Sequence, residues 1–484
     1  MAPLIIGGLE VPWIDTVRPE DTTNMAPYVK RSHSIKTLPK GWQKAPNTKP
    51  LTADLIFEEH SEVKLRDGAI IHVDIFRPVT DKTVPATLSV TPYGKGGHGF
   101  YIYDSAPYRV GLKVEESSGL EIFESVDPDD WAVRGYATVH VEVRGTWDSE
   151  GDLYIEGTFP GIDIYDVVED IAARDWCNGS LGMVGNSWLA AAQWSTAIQH
   201  PPSLKAIAPW EGFTDFYRDV ICRGGVPKNS FSKFIFDQTI RGRQKREDLA
   251  EALERWPLMN GYWADKAVDV SDVDIPIYAV ASYSSAIHTV GTIRAFNQAK
   301  SKNKWLRIHS TQEWYDISVK ESNDELQAFF DRYLKGIDNK WENTPNVRVS
   351  VLTYGNRSGP QPIRNIQFPS YPSPDTDYRT LFLNKGGLST SKGVGELSSS
   401  YQADTYGSEP VEFTHVFDEP TFLIGYPKVK LWVSSDEHDD LDIYTSLRKV
   451  SADGKVLEHV NIPWDRIPEG VNSHEEVPNT NVIK

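Results

Sequence analysis

Cysteine is almost absent: the chain of 484 residues holds two, Cys177 and Cys222, in no CxxC spacing and too few for a disulfide framework. A reducing compartment, the cytoplasm, is the expectation. Basic residues are in deficit, 50 Lys and Arg against 68 Asp and Glu, which leaves a net charge of −18. That balance excludes a protein that tracks nucleic-acid phosphates or an anionic membrane surface as its main partner. No apolar run is long enough to span a bilayer, and the patch at residues 4–6 lacks the basic region of a secretion signal. HExxH, paired CxxC and Walker patterns are all missing, so no metal and no cofactor is expected. The acidic run DEHDDLD at 436–442 lacks the glycine of a calcium loop and reads as a solvated turn. Hydrophobic residues make up 39% and charged residues 24%, without long blocks of one sign, so the chain is globular rather than disordered.

At roughly 150 residues per domain, the length predicts about three domains. Residues 1–50, rich in Pro, Lys and Thr, read as an extended arm. From residue 55 onward, alternating residues broken by Arg66-Asp67-Gly68 signal a β-hairpin. Apolar runs at 86–90, 137–143, 183–184, 205–209, 277–281 and 305–308 then alternate with helical patterns at 162–175, 187–199, 289–300 and 321–334. That rhythm predicts a mostly parallel sheet covered on both faces, spanning residues 51–212 and 272–354, with chemistry at the carboxyl ends of its strands. The aromatic, helix-rich stretch 213–271 interrupts it as a helical cap. Residues 355–484 change to short β-prone runs punctuated by Pro, Gly and Ser, which predicts a separate all-β domain, with a loop at 386–400.

The strongest local signal is the run GMVGNSWLA at 182–190. A short apolar strand enters Gly185, and an Ala-rich helical run follows Ser187. A nucleophile elbow needs this arrangement, a serine on a sharp strand-to-helix turn with its hydroxyl above the sheet. The helix behind it offers N–H groups and positive dipole to an oxyanion. Leu189 stands where the common form of the motif has its second glycine. On this much alone, a serine that simply caps a helix is the ordinary alternative.

Longer blocks carry more. VTPYGKGGHG at 90–99, VEVRGTWDSEG at 141–151, DWCNGSLGMVGNSW at 175–188, PPSLKAIAPWEG at 201–212 and FDEPTFLIGYPKVKLWVSSDEHDDLDIY at 417–444 resemble the cocaine-esterase-like and X-Pro dipeptidyl-peptidase group of serine hydrolases. The resemblance runs from about residue 63 to about residue 464. It implies an α/β-hydrolase fold with a helical cap insertion and a C-terminal jelly roll. It also implies Ser187 as nucleophile, with the Trp188 backbone N–H and the Tyr93 hydroxyl as oxyanion donors. That family's jelly roll continues well past the strand matching 441–450, so an abbreviated domain, and a homodimer through it, is expected.

The family pattern then departs. Its acid belongs after the strand at 277–281, where this chain has Ala286, and its histidine belongs after the last strand, where this chain has Glu313. Each loop instead offers the opposite partner, His288 and Glu313, which suggests an exchanged triad: His288 as base on Ser187, and Glu313 fixing the tautomer of His288. His309 and His98 compete as bases, and Asp316 competes as the acid. A helix-capping role for His288 and an ion pair between Glu313 and a base such as Arg307 are the structural alternatives.

The reading that follows is a serine-dependent acyl-transfer enzyme acting on a small ester or amide through an acyl-Ser187 intermediate, with the aromatics Trp210, Phe213, Phe216, Tyr217, Phe231, Phe234 and Phe236 either shaping an apolar pocket or packing as an ordinary core within the cap. Two alternatives stand beside it. One is a lyase, isomerase or cyclase of specialised metabolism using His288 and Glu313 as acid and base; the other is a pseudo-hydrolase that only binds.

Overall fold

The computed structural model describes residues 4–23, 27–354, 357–359, 361–385, 387–394, 398–402 and 410–483. Its centre is an eleven-stranded mixed sheet. In chain order the strands are β1 (Ser34–Leu38), β2 (Leu55–Lys64), β3 (Ile70–Pro78), β4 (Val84–Thr91), β5 (Ala137–Glu142), β6 (Cys177–Gly185), β7 (Leu204–Pro209), β8 (Ile277–Ser282), β9 (Lys304–His309), β10 (Val347–Val351) and β11 (Ile363–Phe368). Their spatial order is β11-β10-β9-β8-β7-β6-β4-β5-β3-β2-β1. The middle, from β5 through β4, β6, β7, β8 and β9 to β10, is parallel. Both flanks are antiparallel.

Period-two alternation explains why the parallel strands read as unbroken apolar runs. On β8, Ile277, Ala279 and Ala281 join the core cluster on one face, while Tyr278 and Val280 join the cluster on the other. Among the described residues the α-helices in chain order are α1 (His98–Asp104), α2 (Pro128–Val133), α3 (Thr158–Ala172), α4 (Trp188–Ala197), α5 (Asn229–Gln238), α6 (Leu249–Arg255), α7 (Gly261–Asp265), α8 (Thr289–Gln298), α9 (Glu313–Ser318) and α10 (Lys320–Leu334). The helices α3, α4 and α8 bury their apolar faces in the first cluster, whereas α2 and α10 cover the opposite face through Trp131, Phe329, Phe330 and Leu334. Each fully buried large aliphatic side chain contributes about 1.5–3 kcal/mol, so neither face could be left bare.

The chain leaves β4 for β5 on one side and returns to β6 on the other. This reversal opens a crevice at the carboxyl ends of β4 and β6, the ordinary ligand position in such sheets. The stretch expected as a cap carries α5, α6 and α7, with the strand Lys245–Glu247 paired to Trp13–Asp15 of the N-terminal arm. The arm also passes so close to α7 that a Cβ on Gly7 would lie 2.1 Å from the Gly261 carbonyl carbon.

The sheet does not stop at residue 354, because β11 adds an antiparallel edge beyond it. The C-terminal β domain that follows contains short antiparallel strand pairs, Phe382–Asn384 with Gly387–Ser389, Lys449–Val450 with Val456–Leu457, and His459–Val460 with Val482–Ile483. Of the loop expected at 386–400, residues 386 and 395–397 lie outside the described residues. Residues 410–448 carry neither helix nor strand and are largely exposed. Among the described residues, no helix is long and apolar enough to cross a membrane.

Candidate active site

The elbow begins where β6 ends. Gly185 has φ 141°, and a Cβ there would stand 2.5 Å from the Leu189 Cβ, so only glycine fits. This explains the departure at Leu189: its buried side chain occupies the space that Gly185 leaves open. Ser187 itself has φ 57° and ψ −121°, a conformation costly for any residue with a Cβ and held only when its surroundings enforce it. They do so through two backbone bonds. The Ser187 N–H donates to the Glu211 carbonyl at 2.8 Å, and the Asn186 N–H donates to the Glu124 carbonyl at 3.0 Å.

Around this serine the structure brings three of the sequence candidates together. The Nε2 of His288 lies 3.1 Å from the Ser187 Oγ, and its Nδ1 lies 2.8 Å from the Glu313 Oε2. His288 is the N-cap residue of α8. The helix reaches the elbow because Gly291 lets it approach the segment after β7, where a Cβ would meet the Phe213 Cα at 2.8 Å. The Phe213 ring stacks beside His288 with centroids 6.1 Å apart. Glu313 is the first residue of α9, whose start is capped by the Gln312 side chain accepting from the Trp314 and Tyr315 N–H groups at 2.6 and 3.0 Å. The Gln312 N–H in turn donates to the Asn461 carbonyl at 2.7 Å, so the C-terminal region braces the loop that carries Glu313.

Burial alone would make His288 harder to protonate. The charge and hydrogen bond of Glu313, with the charges of Glu211 and Asp219, outweigh burial and raise its pKa above the ordinary histidine value. Tyr93 follows β4, and its hydroxyl lies near enough to Ser187 for the serine to act on its titration. Burial, then the nearby charge of Glu124, holds that phenol well above its usual pKa, so it stays a donor. Trp188 opens α4, where its N–H precedes any helical acceptor.

The competing candidates are engaged elsewhere. His98 has both ring nitrogens on backbone carbonyls, Lys95 at 2.6 Å and Pro27 at 2.9 Å, and burial pushes its pKa down to about 4. His309 pairs with Glu211 at 2.8 Å. Asp316 forms a bidentate pair with Arg307 at 2.6 and 3.0 Å, and despite burial that guanidinium holds its carboxyl down at about 2. Ala286 is exposed on its loop.

Trp210 departs from the expected cap pocket, since it packs edge-on to Tyr278 at 5.5 Å in the core on the α10 side. Phe231 and Phe234 of α5 are exposed, whereas Phe213, Phe216, Tyr217 and Phe236 are buried.

Sequence reasoning passed over three groups. Ser285 places its Oγ 2.7 Å from the His288 Nδ1. Glu124, fully inside, accepts from the Trp314 indole N–H at 3.1 Å, and burial, then the like charge of Glu313, pushes its carboxyl well above the usual range. Glu211 follows the carboxyl end of β7, the one place where position along the sheet would have flagged it. Glu211, His288 and Glu313 each bring one donor atom within 4.8 Å of the others. Both nitrogens of His288 are already hydrogen-bonded, and we assign no metal there.

Comparison with known proteins agrees with this geometry at the level of family. The model of the X-Pro dipeptidyl-peptidase (S15 family) matches residues 67–313, and that of the X-Pro dipeptidyl-peptidase C-terminal non-catalytic domain matches residues 339–474. Cocaine esterase of Rhodococcus sp. (strain MB1 Bresler) is 26% identical over 413 residues, covering 72% of this chain and 67% of that protein. A putative Xaa-Pro dipeptidyl-peptidase of Streptomyces avermitilis is 22% identical, covering 70% and 53%. Among solved structures, a CocE/NonD family hydrolase from Staphylococcus aureus superposes with a TM-score of 0.66 at 30% identity, covering 78% of this chain and 65% of that one. The chain thus spans about two thirds or less of these relatives.

Proposed function

Given that the chain belongs to the X-Pro dipeptidyl-peptidase S15 family, we propose that it is a serine-dependent acyl-transfer enzyme that hydrolyses or transfers the acyl group of a small ester or amide. The observation that carries this reading is the unbroken path from Glu313 through His288 to the hydroxyl of a serine at a strained strand-to-helix turn. Relatives named as an esterase and as a peptidase share one requirement, a carbonyl carbon open to a nucleophile, and that shared chemistry is as far as the substrate is specified.

In this reading His288 Nε2 takes the Ser187 proton as Oγ attacks the carbonyl carbon. Glu313 accepts the Nδ1–H, selects the tautomer that leaves Nε2 free, and stabilises the imidazolium that forms. The Tyr93 hydroxyl and the Trp188 N–H donate to the oxyanion. His288 then returns the proton to the leaving oxygen or nitrogen, and water or another acceptor releases the acyl group. The Nε2 to Oγ contact favours this over a lyase or isomerase, in which the base would face substrate rather than the serine.

Intact mass after exposure to a fluorophosphonate tests the reading. One adduct is expected on the native protein, none on Ser187→Ala, and strongly slowed labelling on His288→Ala. A folded native protein that stays unlabelled would overturn it.

We extend the proposal to assembly. The run 410–448 exposes Val416, Phe422, Leu423, Trp432, Tyr444 and Leu447, each more than half accessible, and two copies of the chain pairing through this domain would cover them.

A further inference from the structure

The Glu211 side chain is completely buried beside the proposed triad, yet the mechanism above uses only its backbone. Its backbone is held at φ 55°, and its N–H donates to the Val280 carbonyl at 2.7 Å. A left-handed glutamate is costly and persists only where its surroundings enforce it. One carboxylate oxygen accepts from the His309 Nε2 at 2.8 Å, while the other, Oε2, is buried without a partner. Ligand atoms of Glu211, His288 and Glu313 all lie within 4.8 Å of one another.

Behind Glu211 the charges alternate. Arg307 grips Asp316 at 2.6 and 3.0 Å, Asp316 lies 3.5 Å from the His309 Nδ1, and His309 holds Glu211. The series ends at His288, whose other acid is Glu313.

We infer that Glu211, clamped by His309, is a second carboxylate serving the same histidine, a positioning residue that stabilises the imidazolium of His288 alongside Glu313 and substitutes for Glu313 when that residue is lost. The inference rests on the acyl-enzyme reading, since it assigns Glu211 a role toward the base of that reaction. Two acids entering from different places, the segment after β7 and the start of α9, also give a physical sense to a triad whose usual acid position holds Ala286: the negative charge reaches His288 from the two loops that flank its own.

The groups facing His288 are Glu313 from α9, Glu211 from the segment after β7, Ser285 from its own loop, and Asp219, which pairs with Arg294 of α8. Of the two carboxylates with a ligand atom within 4.8 Å of one on His288, Glu211 is the one that can be neutralised without removing a hydrogen-bond partner of His288.

The test measures the fluorophosphonate labelling rate against pH for the native protein, Glu211→Gln, Glu313→Gln and the double variant, with His309→Gln as a second way to release Glu211. Glutamine keeps an acceptor for His309, and melting temperatures report folding. If Glu211 serves His288, each single variant slows labelling by about ten- to a hundredfold, and the double falls at least about tenfold below the product of the two. Removing the negative charge also moves the acidic limb of the Glu211→Gln profile to lower pH by about half a unit or more. A double variant equal to the product of the singles, or an unmoved limb in folded Glu211→Gln, overturns the inference. Those outcomes leave the acyl-enzyme reading standing provided Ser187→Ala abolishes the adduct. An unlabelled native protein would instead remove the reading beneath it.

Discussion

Ser187 and Tyr93 follow strands that the chain visits nearly a hundred residues apart, and the proposed chemistry depends on two hydroxyls with opposite duties. The serine must lose its proton, whereas the tyrosine must keep its own, and their surroundings divide these roles. His288 sits at 3.1 Å from the serine, while burial and Glu124 hold the phenol protonated far above neutrality. Tyr93→Phe removes one oxyanion donor but keeps the ring that packs edge-on to Phe123 at 5.4 Å. A fall in kcat of about a hundredfold, with KM little changed, is expected in steady-state assays on a p-nitrophenyl ester. The pH profile follows from His288. As a base it must be neutral, and Glu313, with Glu211 and Asp219, raises its pKa despite burial. The kcat/KM of the native protein should therefore rise with pH through a midpoint above about 6.5, the ordinary histidine value. A midpoint below that value would show that burial prevails over the carboxylates.

At the scale of elements, close backbone approaches place these side chains, and glycines license them. Gly291→Ala puts a methyl group 2.8 Å from the Phe213 Cα, backbone that cannot swing aside. The start of α8 would have to move away from the segment after β7, carrying His288 with it. A loss of about 1–3 kcal/mol in denaturant unfolding is expected, together with labelling slowed far more than the stability loss explains. An unchanged labelling rate would mean that the position of α8 does not govern the base. Such approaches mark the limit of what a sequence discloses. The strands β4, β5, β7, β8 and β9 were legible because buried parallel strands read as apolar runs. Ser187 was legible from its strand-to-helix context, and His288 and Glu313 from the loops in which the family pattern breaks. The contacts of Ser285 and Glu211 were not, because which loop residue points inward depends on how the loops meet. Trp210 was assigned to the wrong side for a related reason. It continues the alternation of β7, in which Ala206 and Ala208 already face the α10 cluster.

For the whole molecule, the two regions differ in how they treat apolar surface. The sheet buries nearly every large side chain of its central strands, whereas the run 410–448 leaves Trp432 85%, Tyr444 80% and Val416 80% accessible. Isolated exposed apolar residues are ordinary, but so many of them within one β-prone run invite pairing with another chain. Closed symmetric pairs are the commonest solution, because one self-complementary patch then serves both copies. Sedimentation velocity across a hundredfold range of concentration should accordingly show a dimer, and Trp432→Glu with Leu423→Glu should shift it towards monomer. The same segment leads through His459–Val460 to Asn461, whose carbonyl holds the Gln312 N–H beside Glu313. Pairing that steadies the C-terminal domain would therefore also steady the acid of the proposed triad. The labelling rate of the native protein should then rise with concentration in step with dimer formation, and the double glutamate variant should keep the slower, monomer rate throughout. A monomer at every concentration, with a labelling rate that never varies, would remove the link between assembly and activity.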